Sequence, residues 1–156
     1  MIQVDPRDFT PDALRKVAPA CGECTGQGAS VVELVGGSVV YPHRPDLWQK
    51  DGVDRWWWRC ENCGAYVGTH TGTINPLGTP CGPETRRARE AAHAAFDPMW
   101  RKRMELSGLK QSVARGRGYK WLAKQMGLTR KDCHIGMMSA EQAWRVVEIC
   151  RAREAA

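Results

Sequence analysis

Trp56-Trp57-Trp58-Arg59-Cys60-Glu61-Asn62-Cys63-Gly64-Ala65-Tyr66-Val67-Gly68 is the stretch on which the fold turns. Aromatic residues running into a C-x2-C turn, with a second aromatic and β-branched run leaving it, predict two strands over residues 55–59 and 65–70 joined by a metal-binding knuckle. Gly64 follows the second cysteine at the point where such a turn needs a left-handed backbone. An upstream partner has the same spacing, Cys21-Gly22-Glu23-Cys24, with Thr25 in the equivalent place and Gly26 one position later. Two C-x2-C pairs present four thiolates tetrahedrally to one ion. Cys21, Cys24, Cys60 and Cys63 are therefore the expected ligands of a single structural Zn²⁺ with no open coordination position. An iron site and a redox dithiol are the other uses of this spacing.

Working outward, Thr10-Pro11 is an N-cap followed by proline at the first helical position, with Phe9 and Leu14 placed as a hydrophobic staple. Pro19 stops this short helix before the first knuckle. Residues 30–35 and 38–41 are β-branched runs on either side of Gly36-Gly37 and predict a hairpin. Residues 42–55, with Pro42, Pro45, Asp51 and Gly52, read as a loop. Residues 71–83 read as the link to a helical half.

From Glu84 the period becomes helical. Ala88, Ala91, Ala92, Ala95, Phe96 and Met99 fall on one face. Pro98 is expected to break that helix, with Asp97 capping a second one that runs to about Leu106 and ends at Ser107-Gly108. Arg115-Gly116-Arg117-Gly118 reads as a flexible basic hinge before a short helix over residues 119–126, closed by Gly127. Ser139 and Gln142 form a capping box for a last helix whose buried stripe is Ala143, Val146, Val147 and Cys150. The fold class is α+β: a short helix in residues 1–19, an N-terminal zinc ribbon with a small antiparallel sheet over 20–82, and three to four helices in a basic C-terminal region over 83–156.

The chain has 156 residues, 42% of them hydrophobic, enough for one compact domain or two small ones. Its longest apolar run is interrupted by Gly36, Gly37 and Ser38, so no membrane span is expected, and the first residues lack the pattern of a signal peptide. The expected location is the cytoplasm. Seven cysteines, an odd number, argue against a fully paired disulfide framework. The net charge of +6 is unevenly placed: residues 1–83 hold 7 basic and 9 acidic side chains, residues 84–156 hold 16 basic and 8 acidic. Between Met99 and Lys131 ten basic residues face one acid, Glu105.

The two cysteine turns resemble those of a phage and prophage family catalogued as a zinc-finger-containing domain of unknown function. The segments beginning at Trp58, Pro76, Arg86, Tyr119 and Cys133 share the likeness, which spans roughly residues 20–150. The resemblance implies zinc on Cys21, Cys24, Cys60 and Cys63 and a phage or prophage origin, hence the cytoplasm of a bacterial host. It implies no activity.

Three functional readings follow. A cationic field of this kind attracts polyanions, so Arg101, Lys102, Arg103, Lys110, Arg115, Arg117, Lys120, Lys124, Arg130 and Lys131 are the candidate phosphate contacts for DNA or RNA. Trp56 and Trp58, on one strand face, are candidates for stacking on bases, although indoles here also serve to cover the zinc module. Nothing supplies base readout, so sequence preference is expected to be weak. Basic helices are also common solvated surfaces, and an adaptor or inhibitor that binds a host or phage protein is the second reading. A metal-dependent nuclease is the third, with His70, His93 and Asp97 as its candidate site in a stripe that includes Arg86 and Glu90. Glu90, His93 and Asp97 are equally ordinary surface pairs at helical spacing. Cys81, His93, Cys133, His134 and Cys150 lack the spacing of a second metal site, and His43 reads as a solvent-exposed loop residue.

Overall fold

A computed structural model describes residues 4–24, 31–50 and 53–155. The chain divides into two compact units, the first ending at Gly82 and the second beginning at Pro83. Thr25, Gly26, Ser30, Asp51 and Gly52, which figured in the turn and loop readings, lie outside the described residues.

The first unit opens with a 3₁₀ turn, Pro6–Asp8, and helix α1, Pro11–Val17, where the Thr10 hydroxyl accepts the Ala13 N–H as its N-cap. Strand β1, Val32–Gly36, is followed by the four-residue helix α2, Gly37–Val40, and helix α3, Pro45–Trp48. Strands β2, Gln49–Lys50, and β3, Val53–Asp54, form a small hairpin. Strand β4, Trp56–Cys60, occupies the centre of an antiparallel sheet ordered β1-β4-β5, with β5 spanning Tyr66–Gly68. Trp58 is opposite Leu34 on one side and Val67 on the other.

The hairpin expected at Gly36-Gly37 does not form. Neither glycine has a positive φ, whereas the tight primed turns that join hairpin strands need one. Gly37 is instead present for lack of volume: a Cβ there would lie 1.8 Å from the Trp48 Cβ and 2.7 Å from the Trp57 ring. β1 therefore pairs with β4, and residues 38–40 turn into α2. The span read as a loop, 42–55, contains α3 and the β2–β3 hairpin.

Residues 76–81 also belong to the ribbon, not to a linker. Leu77 donates its N–H to the Gly68 carbonyl, and Tyr66 and Cys81 exchange backbone hydrogen bonds of 3.4 and 3.2 Å. Buried Ile74 accepts the Trp58 indole N–H at 2.8 Å.

The second unit has three helices: α4, Pro83–Ser107; α5, Gln111–Met126; and α6, Ala140–Glu154, with a 3₁₀ turn at Ile135–Met137. At 25 residues α4 is about 37 Å long. It runs unbroken through Pro98, contrary to the expected break, with Phe96 and Trp100 buried on either side of the proline. Core packing of those rings outweighs the hydrogen bond that proline cannot donate. Asp97 does not cap a new helix; its carboxylate accepts the Trp100 indole N–H at 3.0 Å.

The Arg115-Gly116-Arg117-Gly118 segment is helical, not a hinge, and lies inside α5. A Cβ on Gly118 would lie 3.1 Å from both Phe96 and Trp100, so glycine lets α5 approach α4 closely. Phe96 and Tyr119 then meet with ring centroids 4.8 Å apart. Gly108 and Gly127 take left-handed conformations after α4 and α5. The Ser139–Gln142 capping box is present, and Ala143, Val146, Val147 and Cys150 are buried beneath α6. Arg89 is buried as well, donating Nε–H to the Met138 carbonyl at 2.8 Å.

Candidate metal centre

The second knuckle follows from local backbone chemistry. Cys60 donates its N–H to Ala65 at 2.7 Å, and Gly64 donates to Cys60 at 2.9 Å, which closes the turn. Gly64 has φ +72° with nothing near its missing Cβ, so it is glycine for conformation alone. The first knuckle is held by the segment that returns along β5. Gly22 donates to the Pro80 carbonyl at 3.2 Å, and the Glu23 carboxylate accepts the Gly82 N–H at 2.9 Å. A Cβ on Gly22 would lie 3.1 Å from the Thr79 hydroxyl.

These two supports bring four sulfurs together. All four Sγ atoms of Cys21, Cys24, Cys60 and Cys63 lie within 4.8 Å of one another. Cys21 is 3.6 Å from Cys63, and Cys24 is 3.8 Å from Cys60. A tetrahedron with Zn–S bonds of about 2.3 Å has edges of about 3.8 Å, so the donor set fits zinc in both chemistry and size. Cys21, Cys24 and Cys60 are buried together with Ala65, while Cys63 is exposed.

Crowded thiols need a counter-charge to ionise together. The neighbouring Cys63 thiol, then burial, push Cys24 up to about 12. Burial also raises Cys21. It opposes ionisation of Cys60 too, but there the N–H groups of Cys63 and Asn62 outweigh it and bring the thiol down to about 7. A bound dication supplies the missing charge and ties the two knuckles together; a closed shell of four sulfurs leaves no position for water or substrate.

Four cysteines on two knuckles of a small antiparallel sheet define a zinc-binding ribbon. The chain belongs to the family described as a zinc-finger-containing domain, which matches residues 19–153. Cys21, Cys24, Cys60 and Cys63 are its single zinc site. Comparison with curated proteins and with solved structures returns no match.

The other candidates are distributed as follows. Trp58 is 2% exposed and donates to Ile74, so it is a core residue closed to stacking. Trp57 is buried too, and Trp56 is half-buried with its indole N–H on the Val4 carbonyl at 2.9 Å. Arg101, Lys102 and Arg103 are exposed on α4, and Arg101 lies over the Trp100 ring and 3.5 Å from Asp97. Lys110 is the N-cap of α5, which carries Arg115, Arg117, Lys120 and Lys124 and no acid. Lys110, Arg117, Lys120 and Lys124 are exposed and fall within about 80° of one another around the axis. Arg115 is on another face, half-buried, with its guanidinium 5.1 Å from the Tyr119 ring; Arg130 is 5.0 Å from the same ring. Lys131 is exposed after α5.

His70, in the first unit, is exposed on a turn closed by Asn75 and Thr73. In the second unit His93 Nδ1 is 3.6 Å from Asp97, whose oxygens already serve Trp100 and Arg101. Cys133 and Cys150 are buried in the helical core, Cys81 is buried in the ribbon, and none of the seven cysteines is in a disulfide. Among the described residues the four-cysteine group is the one cluster spaced to hold a metal, and no helix is long and apolar enough to cross a membrane. Arg153 on α6 and the half-buried Trp121 on α5 form a further pair that the charge pattern between Met99 and Lys131 does not mark. These two meet with the guanidinium 4.5 Å from the ring centroid. Only three-dimensional packing brings them together, since α6 lies outside the basic stretch.

Proposed function

We propose that this chain is a phage or prophage zinc-ribbon protein that binds nucleic acid in the cytoplasm of a bacterial host. Binding is through the basic helical unit, with little sequence preference and no catalysis. The observation that carries the reading is α5, an acid-free helix with Lys110, Arg117, Lys120 and Lys124 exposed along one side. Four cations spaced along a helix match phosphates, which carry no sequence information. The buried Trp57 and Trp58 assign the ribbon's aromatics to its own stability, so the zinc acts on structure.

The test is a titration of the zinc-loaded chain with labelled single-stranded DNA, duplex DNA and RNA across a range of salt. Affinity is expected to fall steeply with salt. Changing Arg117, Lys120 and Lys124 to Gln together is expected to flatten the log–log slope of the polymer that binds by about 2 to 3, near 0.9 per lost phosphate contact on duplex and near 0.7 on a single strand. An unchanged slope refutes the assignment. Strand cleavage that needs Mg²⁺ and disappears in His93→Ala would replace it with the nuclease reading. A stoichiometric host protein retained after nuclease treatment, without polymer binding, would replace it with the adaptor reading.

A further inference from the structure

We infer that the helical unit carries a pocket for one unstacked base, so that the nucleic acid it holds is single-stranded; this rests on the binding reading above and deepens it. A cleft of about 610 Å³ opens between the end of α4, the middle of α5 and the last turn of α6. That volume is within the range of about 300–1,000 Å³ typical of small-molecule sites. Its wall is apolar where Met99 and Trp121 line it, and the Trp121 indole gives it a flat face. Its rim is cationic, with Lys102, Arg103, Arg117 and Arg153 against the single acid Glu154.

The occupant must offer a flat apolar surface joined to negative charge. A nucleotide does both: the base takes the wall and the adjoining phosphates take the rim. Trp121 and Arg153 are already arranged face on, the two kinds of surface on which unstacked bases are held. An arriving base takes the guanidinium's place on the indole, and Arg153 is released to a phosphate. A base paired and stacked inside a duplex cannot enter such a cleft. The α5 stripe of Lys120 and Lys124 is not part of the cleft lining and tracks the neighbouring backbone.

The experiment compares a labelled oligothymidylate with a strand of equal length and charge made of abasic units, titrated with the full zinc-loaded chain at near-physiological salt. The wild type is expected to bind the base-bearing strand about tenfold or more tightly, the usual effect of one stacked base. Trp121→Ala is expected to bind both strands alike, and Trp121→Phe to restore most of the difference. That recovery separates stacking from a folding defect. Lys120→Ala with Lys124→Ala is expected to weaken both strands equally. If the wild type binds both strands alike and with the expected salt dependence, the pocket is refuted while the phosphate reading stands. Absence of binding to any strand refutes both. Displacement of the strand by an acidic, aromatic peptide but not by thymidine monophosphate would assign the cleft to a protein and refute the base pocket.

Discussion

Gly116 and Gly118 sit two residues apart in α5, and alanine at each should have opposite consequences. In a helix interior alanine is favoured over glycine by about 1 kcal/mol. At Gly116 nothing lies within 4 Å of a Cβ, so Gly116→Ala collects that gain in full. At Gly118 the same methyl lies 3.1 Å from the Phe96 ring and from the Trp100 Cβ. Both neighbours are buried, with relative exposures of 0% and 5%, and have little room to retreat. Overpacking of this kind costs about 1–3 kcal/mol, so Gly118→Ala should be neutral at best and destabilising by about 2 kcal/mol at worst. For a unit of this size, 1 kcal/mol shifts the midpoint by about 4–8 °C. Thermal melts of the zinc-loaded protein followed by helical circular dichroism report mainly on α4, α5 and α6. Gly116→Ala is expected to raise Tm by about 4–8 °C and Gly118→Ala to leave it unchanged or lower it. Equal gains at the two positions would refute the close approach of α5 to α4, and no gain at either would refute the helix through this segment.

Cys60→Ser is expected to reduce bound zinc from one equivalent and to melt the ribbon sheet, whereas Cys81→Ser keeps the full equivalent; metal analysis after gel filtration checks both. Arg89→Met removes a buried, charge-assisted hydrogen bond to Met138 and should destabilise the helical unit by about 2 kcal/mol in urea unfolding. Burial holds Cys150 at about 11 against an ordinary value of 9.0. Its thiol form therefore favours the folded unit below about pH 9, and that advantage is lost as pH rises toward 11. Stability measured from pH 8 to 11 should fall more steeply in the wild type than in Cys150→Ala, and parallel curves would refute the burial argument.

The parts of this fold that could be read from sequence are those fixed by neighbours a few residues away. The Cys60–Gly64 turn, the Ser139–Gln142 capping box and the left-handed Gly108 and Gly127 depend on local hydrogen bonds and backbone angles. The misread parts are residues with two physical meanings. Glycine is a source of conformational freedom or an absence of volume, and Gly37 and Gly118 are the second kind because Trp48 and Trp57, or Phe96 and Trp100, occupy the space. Proline breaks an isolated helix, but Pro98 is tolerated where Phe96 and Trp100 anchor both sides. In each case the deciding partner is distant in sequence, or the burial that decides is. The four zinc ligands were legible because their spacing is itself local, twice over. The basic residues were legible as a group, but their division into an exposed α5 stripe and ring-capping arginines required the helix faces.

The unequal exposure of the four sulfurs gives metal exchange a direction. Three ligands are enclosed, and Cys63 alone meets solvent, so a competing chelator or an oxidant makes its first contact there. The remaining trio still includes Cys21 and Cys24 from one knuckle and Cys60 from the other, whose separation of 36 residues from Cys24 makes closing the intervening chain cost about 3 kcal/mol in entropy. Losing Cys63 leaves that closure intact. Exchange thus begins at one corner while three sulfurs still tie the knuckles together, and the ribbon comes apart only when those remaining bonds are lost.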